Sequence, residues 1–389
     1  MSDAGSLFEI DDPALLAAPQ TMYRSLRDAT PVLAFDGPPA MVIVSTDDAV
    51  REVLRHHEVF SSGTDAVAIG QIRPLIPLQI DPPEHGKYRK LLDPLFAPKQ
   101  VAQLEDGARA LVRELVGEVA ATGACNFHYA IAETFPTTVF LELLGLPMSR
   151  AREFVELKDG IIRPPQHELE ARQEHIAATG RRIYAVLEEV VSARQKEPRD
   201  DFISAFLDSE VEGHRLTPDD VVDIGYLFFL AGLDTVTSSL DCIVAYLAAH
   251  PDQRRQLVED SSLIPHAIEE LLRWETPVTG VPRIAVADTE LDDCPIAKGT
   301  IVTVLLASAN TDERSWEHGD TIDFEREGNR HIAFGGGVHR CLGSHLARME
   351  LRVALEEWHA AVPDYGVREG VELLYSAGLR SIENLELVY

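Results

Sequence analysis

Residues 334–343 read FGGGVHRCLG: three glycines, a histidine and an arginine stand just before a cysteine. Residues 341–359 then carry helical periodicity, which places the cysteine at a helix start. A phosphate loop needs a Lys-Ser/Thr pair after its glycines, and none follows. A dinucleotide fingerprint counted from Gly335 and Gly337 needs a third glycine where Arg340 stands. A phosphatase-type loop wants an arginine six residues past the cysteine, where Ala347 stands. Zinc wants companion thiolates or histidines at short spacing, and His339 and His345 are thin support. A buried, inert cysteine after a glycine turn is the plain structural alternative.

A thiolate bound to haem iron uses the whole stretch. The glycines let backbone approach a flat macrocycle. Cys341 at a helix start meets N–H groups that stabilise a negative sulfur. Gly343 leaves those donors uncovered, and Phe334 can cover one side and limit water. The stretch resembles the cysteine-ligand signature of the cytochrome P450 family, F-G-x-G-x-H-x-C-x-G, in its bacterial, soluble, camphor-hydroxylase-like class. The resemblance implies a mainly α fold with small β-sheets and a single haem-thiolate domain over 1–389. It also implies haem b with the Cys341 thiolate as axial ligand, beneath a long helix that crosses the other face.

Composition agrees with a globular chain. Its 389 residues are 45% hydrophobic, and 35 basic against 64 acidic side chains give a net charge of −29. Such an acidic balance argues against nucleic acid and anionic membrane as partners. The four cysteines, Cys125, Cys242, Cys294 and Cys341, form no C-x-x-C pair, and MSDAGSLFEIDDP is no secretory signal, so reduced thiols in a cytoplasm are expected. The longest apolar run, Ile224 to Leu233, falls short of the roughly 20 residues that span a bilayer and reads as a buried helix.

Periodicity predicts helices near 47–56, 84–93, 98–121, 129–145, 168–195, 218–249, 262–275 and 341–359, with short strands at 31–35, 40–44, 281–286, 300–306 and the C-terminal ELVY. The long helix has Thr217 as cap, Pro218 in its first turn and Asp219 and Asp220 at its positive end.

Its middle reads LAGLDTVTSS, residues 230–239. A glycine, an aspartate and a back-bonding threonine in one apolar turn are three liabilities, which predict a distorted helix. The stretch resembles the family's [Ala/Gly]-Gly-x-[Asp/Glu]-Thr motif. The resemblance implies that Gly232 leaves a groove for dioxygen, that Thr235 hydrogen-bonds dioxygen, and that Asp234 relays protons. Val236 departs from relatives that carry a second Thr or Ser.

The haem propionates call for cations. By resemblance these are His85 and Arg89 in DPPEHGKYR, Arg283 in VPRI, and His331 and His339. Glu270 and Arg273 match the family's E-x-x-R pair, with Arg326 as third member and a structural role. ASANTDER departs from the family's A-N-R-D-P stretch at Thr311 and Glu313.

Resemblance also implies an apolar pocket that includes Val67, Ile69, Ile72, Leu75, Ile76, Phe229, Val278 and Val281, hence a hydrophobic small-molecule substrate. Arg73 and Arg163 are either solvated or anchors for a substrate carboxylate. No flavin or nicotinamide fingerprint is present, so electrons come from a ferredoxin or flavodoxin with its reductase. Arg330, Arg340, Arg348 and Arg352 against Glu350 form a local basic patch of +3 for that acidic partner. The expectation is a cytoplasmic, monomeric monooxygenase acting on a terpenoid, steroid, fatty acid or aromatic compound. A peroxide-driven peroxygenase and a haem sensor or carrier are the alternatives.

Overall fold

The computed structural model describes residues 12–389 apart from 36, 38, 64, 65, 67, 68, 167, 212 and 377. The chain packs into two compact units. One comprises Met1–Ser61, Val101–Phe135 and Thr235–Tyr389, and the other Ser62–Gln100 and Pro136–Asp234.

The first unit holds the main five-stranded sheet, in the order Val32–Phe35, Met41–Val44, Ile301–Val304, Val281–Ala285, Phe60–Ser61. Met41–Val44 runs parallel to Ile301–Val304, and the other pairings are antiparallel. β-branched side chains suit this surface. Val42, Val44, Val302 and Val304 are buried together against Val50, Val53 and Leu54 of helix Asp47–Arg55. A hairpin, Thr289–Leu291 with Cys294–Ile296, turns through Asp292 (φ 49°) and Asp293 (φ 57°). Two left-handed residues are what a two-residue hairpin turn requires. Helices Glu105–Ala120, Ile264–Glu275 and Ser344–Ala361 complete this unit's core.

The second unit is helical. It contains Glu84–Leu92, Ala151–Ile162, Leu169–Lys196 and Phe202–Asp208. Phe228 is its aromatic centre, with Phe96, Phe140 and Phe206 rings at 5.5, 6.5 and 5.7 Å.

The long helix runs unbroken from Pro218 to Ala249, 32 residues. Its start is a reciprocal cap. Asp220 N–H donates to Thr217 Oγ1 at 3.1 Å, and Thr217 N–H donates to Asp220 Oδ2 at 2.8 Å. The expected distortion at 232–235 is absent: the helix keeps α geometry through that turn. Packing of its buried Leu230, Leu233 and Val236 outweighs local propensity.

Other boundaries differ from expectation. The predicted helix 98–121 is two helices, Pro98–Val101 and Glu105–Ala120. The predicted helix 129–145 is a π turn, His128–Ala132, followed by Thr134–Leu144. Pro136 explains the restart, because proline lacks an N–H and clashes with the carbonyl four residues back, here Ala132. Helices Gln20–Ala29, Ala151–Ile162 and Pro251–Glu259 had not been read from the periodicity.

Candidate active site

The cysteine loop is shaped by two glycines in left-handed conformation, Gly335 (φ 68°) and Gly337 (φ 64°). A side chain at Gly337 would also collide with the carbonyl of Leu54, so only glycine fits there. The loop closes when Cys341 N–H donates to Phe334 O at 2.9 Å. Cys341 forms no disulfide, and its residue is exposed. It does not open the helix: Ser344–Ala361 begins three residues later, with Gly343 in the capping position and its carbonyl accepting Ala347 N–H at 2.9 Å.

Phe334 is pinned beside Cys341. The Arg348 guanidinium lies 4.5 Å from its ring centroid, a cation–π contact. Arg348 also grips Glu269 with two hydrogen bonds, of 2.6 and 2.7 Å. Glu269 accepts a third, at 3.0 Å, from His331 Nε2. His331 Nδ1 accepts the N–H of Ala333 at 3.1 Å, so both ring nitrogens serve the loop. The expected propionate partner His331 thus has its Nε2 engaged by Glu269 in this structure. Burial disfavours charge on Glu269, but the bonds from Arg348 and His331 prevail and hold its pKa at about 2.

Below this lies the expected Glu270–Arg273–Arg326 cluster, fully buried at its centre. Arg273 binds Glu270 through two bonds of 2.8 Å, and Arg326 Nε reaches both carboxylate oxygens at 3.0 and 3.1 Å. Asn329 and the Asp323 N–H add donors at 3.0 Å. Arg273 donates its remaining hydrogens to carbonyls of Asn310, Gly319 and Thr321. A buried ion pair with every hydrogen bond satisfied fixes one arrangement of the chain that leads into the cysteine loop.

Asp234 is fully buried and held by two cations. Lys158 Nζ is 2.9 Å from Oδ1, and Arg163 places its two terminal nitrogens 3.1 and 2.8 Å from Oδ1 and Oδ2. Burial works against the charged form, but the charges of Lys158 and Arg163 outweigh it, so the carboxyl sits below its ordinary pKa. Arg163 is therefore neither solvated nor free for a substrate carboxylate. Lys158 had escaped the sequence reading. Its signal was a lone lysine in LKDGII, an apolar turn that needs a buried counter-charge. Thr235 follows Asp234 on the same helix, and its carbonyl accepts Ser239 Oγ at 2.8 Å. The space beside Gly232 is filled by the Phe140 ring, which a side chain there would strike. Packing against Phe140 gives the glycine a structural reason of its own.

The propionate candidates vary. His85 and Arg283 are buried. Arg89 donates to Asp93 at 2.7 Å one turn on, which neutralises it locally. His339 ends the short turn Gly337–His339. Arg73 is part-exposed but paired. Its Nε bonds both Asp223 oxygens at 3.1 and 2.8 Å, and its guanidinium lies 5.3 Å from the Tyr184 ring centroid. Val67 lies outside the described residues.

The basic patch is weaker than its count. Arg348 is spent on Glu269, and Arg352 on Glu105 at 2.5 Å and Glu356 at 3.3 Å. Arg330 and Arg340 are exposed. Glu350 faces inward instead, and burial raises its pKa to about 8.

The model of the family described as cytochrome P450 matches residues 21–358. The probable cytochrome P450 127A1 of Sinorhizobium fredii is 35% identical over 91% of this chain and 84% of its own length. A steroid C26-monooxygenase of Mycolicibacterium smegmatis is 34% identical over 88% of this chain and 85% of its own. The crystal structure of CYP109E1 from Bacillus megaterium with testosterone superposes with a TM-score of 0.91 at 26% identity, covering 97% and 99% of the two chains.

Proposed function

This chain belongs to the cytochrome P450 family, whose members are haem-thiolate monooxygenases, and from that premise we propose that it hydroxylates a hydrophobic small molecule of about steroid size. The whole chain, 1–389, acts as one haem-thiolate domain. When bound, the haem supplies oxygen activation and electron transfer that no side chain can perform.

The residues present fit that group. Cys341 is exposed and free of a disulfide, on a loop whose left-handed glycines leave its approach clear of side chains. Its thiolate would hold the haem iron. Phe334, held under Arg348, shields the sulfur from water and so keeps its charge on the metal side. Buried Arg283 and His85 are apt partners for propionates, and His339 and Arg89 are further candidates. Gly343 keeps the helix start uncovered.

The observation that carries the oxygen-dependent reading is Asp234, a fully buried carboxylate beside Thr235. The relatives' steroid substrates and the apolar residues Leu75, Ile76 and Phe229 support a hydrophobic ligand. As found, Asp234 is clamped and ionised. It takes and gives a proton only when a cation lets go, and Arg163 is the one able to do so: its side chain is 18% exposed and sits at the end of helix Ala151–Ile162, whereas Lys158 is enclosed. Thr235 then passes the proton onward through its hydroxyl.

Electrons come from a separate ferredoxin or flavodoxin with its reductase, and the protein works as a cytoplasmic monomer. The test is a reduced, carbon monoxide-treated spectrum, followed by product analysis with a steroid panel and a ferredoxin system. A thiolate spectrum and a hydroxylated product are expected. A nitrogen-ligated spectrum, or no product from any hydrophobic ligand, overturns the reading.

A further inference from the structure

The long helix carries a second fully buried carboxylate, Asp241, which the acid–alcohol pair does not use. Its Oδ2 lies 2.8 Å from His128 Nδ1, and the N–H of Ile382 approaches the same oxygen at 3.5 Å. His128 is itself buried and opens the π turn His128–Ala132. One-turn π segments inside helical runs are frequent at functional sites. On the outer side, His128 Nε2 is 3.9 Å from Glu133 Oε1, and the Glu133 side chain is 17% exposed. That gap is one a bridging water spans. Three titratable groups therefore step from a part-exposed carboxylate to a fully enclosed one.

The line continues inward. Ser238 is fully buried, and its hydroxyl has no protein partner. It stands three residues before Asp241 and three after Thr235. Helical neighbours at that spacing have Cβ atoms roughly 5–6 Å apart, and since Ser238 Oγ bonds no protein atom a bridging water would link them. A buried hydroxyl left unsatisfied is unfavourable, which a water at Ser238 avoids.

Resting on the monooxygenase reading, we propose that Glu133, His128, Asp241 and Ser238 form a proton-supply line that refills Thr235 from the protein surface. Hydroxylation takes one dioxygen, two protons, and two electrons from the iron–sulfur or flavin donor. One oxygen atom enters a C–H bond and the other leaves as water. In each delivery the imidazolium gives its Nδ1 proton to Asp241, a ring flip turns the bare nitrogen towards Glu133, and that nitrogen takes a proton from Glu133 and its water, so His128 returns to its starting state. Asp241 then breaks its new O–H bond to a water on Ser238, which passes a proton to the Thr235 hydroxyl.

The groups facing His128 suit this role: Asp241, Glu133 and Glu383, with the Tyr129 ring edge-on at 4.8 Å. Burial opposes charge on the imidazole, but the Asp241 bond and the three carboxylates prevail and raise its pKa above 6.5. The shift favours the protonated imidazole. A clamp between the π turn and the long helix would need Asp241 and His128 alone. It gives no part to Glu133 on the outer nitrogen or to Ser238.

The test uses the haem-loaded protein with substrate, driven either by dioxygen and the electron donor or by hydrogen peroxide, which brings its own protons and electrons. Glu133→Gln and Ser238→Ala are the gentle variants, and His128→Gln and Asp241→Asn the central ones. Oxygen-driven product formation should fall roughly tenfold relative to peroxide-driven formation, less than the 10²–10⁴-fold of a lost general acid. The solvent deuterium isotope effect should rise with it. Nitrogen-15 spectra should show the His128 titration moving down in Glu133→Gln and Asp241→Asn. Variants with the parent's oxygen-to-peroxide ratio, isotope effect and His128 titration overturn the line and leave the monooxygenase reading intact. A parent protein that forms product from neither oxidant overturns both.

Discussion

Lys158 Nζ sits 2.9 Å from Asp234 Oδ1, where the lysine side chain is 1% exposed and the carboxylate not at all. Each charge is tolerable there only because of the other. Lys158→Met leaves Asp234 to Arg163 alone and should cost about 3 kcal/mol, near the lower end for breaking a buried pair. Urea unfolding at neutral pH measures it, and a change below about 1 kcal/mol would show that Arg163 suffices. Because Asp234 is held below its ordinary pKa of 3.8, its contribution is present above that value and fades as pH falls.

Thr235→Ala removes the hydroxyl beside that carboxylate. Ligand-induced spectral shifts should survive, while product per electron consumed falls about tenfold or more and hydrogen peroxide rises. Counting peroxide and product against reductant consumed gives the answer. Unchanged coupling removes Thr235 from proton delivery.

Glu350 gives a pH dependence of opposite sign. Its pKa is raised by burial from 4.5 to about 8, so the folded chain keeps a proton that the unfolded chain releases. Stability should therefore fall by about 1.4 kcal/mol per pH unit between those two values. Glu350→Gln removes this slope and should stabilise the protein by about 3 kcal/mol at pH 7, with little effect at pH 4.5. Thermal unfolding at several pH values tests it, and a parallel pair of stability curves would refute it.

Glu269 behaves in the ordinary carboxylate sense. Its pKa drops from 4.5 to about 2, so its contribution is complete above the higher value and is lost as pH falls towards the lower. Arg348→Ala breaks two charged hydrogen bonds and the contact over Phe334, at a cost of about 1.5–3 kcal/mol. The acid-unfolding midpoint should move upward. The thiolate spectrum should also weaken, because Phe334 loses its brace.

Gly337→Ala combines a left-handed backbone, which costs an alanine roughly 1–2 kcal/mol, with a collision against the Leu54 carbonyl. Haem content after purification should drop severalfold, with a lowered melting temperature. Gly117→Ala, on helix Glu105–Ala120, is the control, since nothing lies within 4 Å of a side chain there.

The cysteine loop was legible because its information is local. Ten consecutive residues specify the turn, with two left-handed glycines at its bends. The long helix was legible for the same reason: Thr217, Pro218 and Asp220 mark its start within four positions. The polar partners were not legible. Asp234 finds Lys158 across 76 residues of sequence, and Arg348 finds Glu269 across 79. An arginine counted along the chain looks like free charge, whereas Arg348, Arg352, Arg73 and Arg163 all meet carboxylates from distant segments. Helix Ala151–Ile162 was missed because its first turn carries no capping side chain, and its glycine and buried lysine obscure the apolar stripe.

The Leu54 carbonyl walls the cysteine loop from the far end of the sequence. Any shortened version of the enzyme that starts after Arg55 would discard this buttress while keeping every residue of the metal-binding signature. Such a fragment would still be recognised by motif searches yet would have lost the surface that the loop is moulded on. Trimming for crystallisation or fusion should therefore stop well before the first sheet strand.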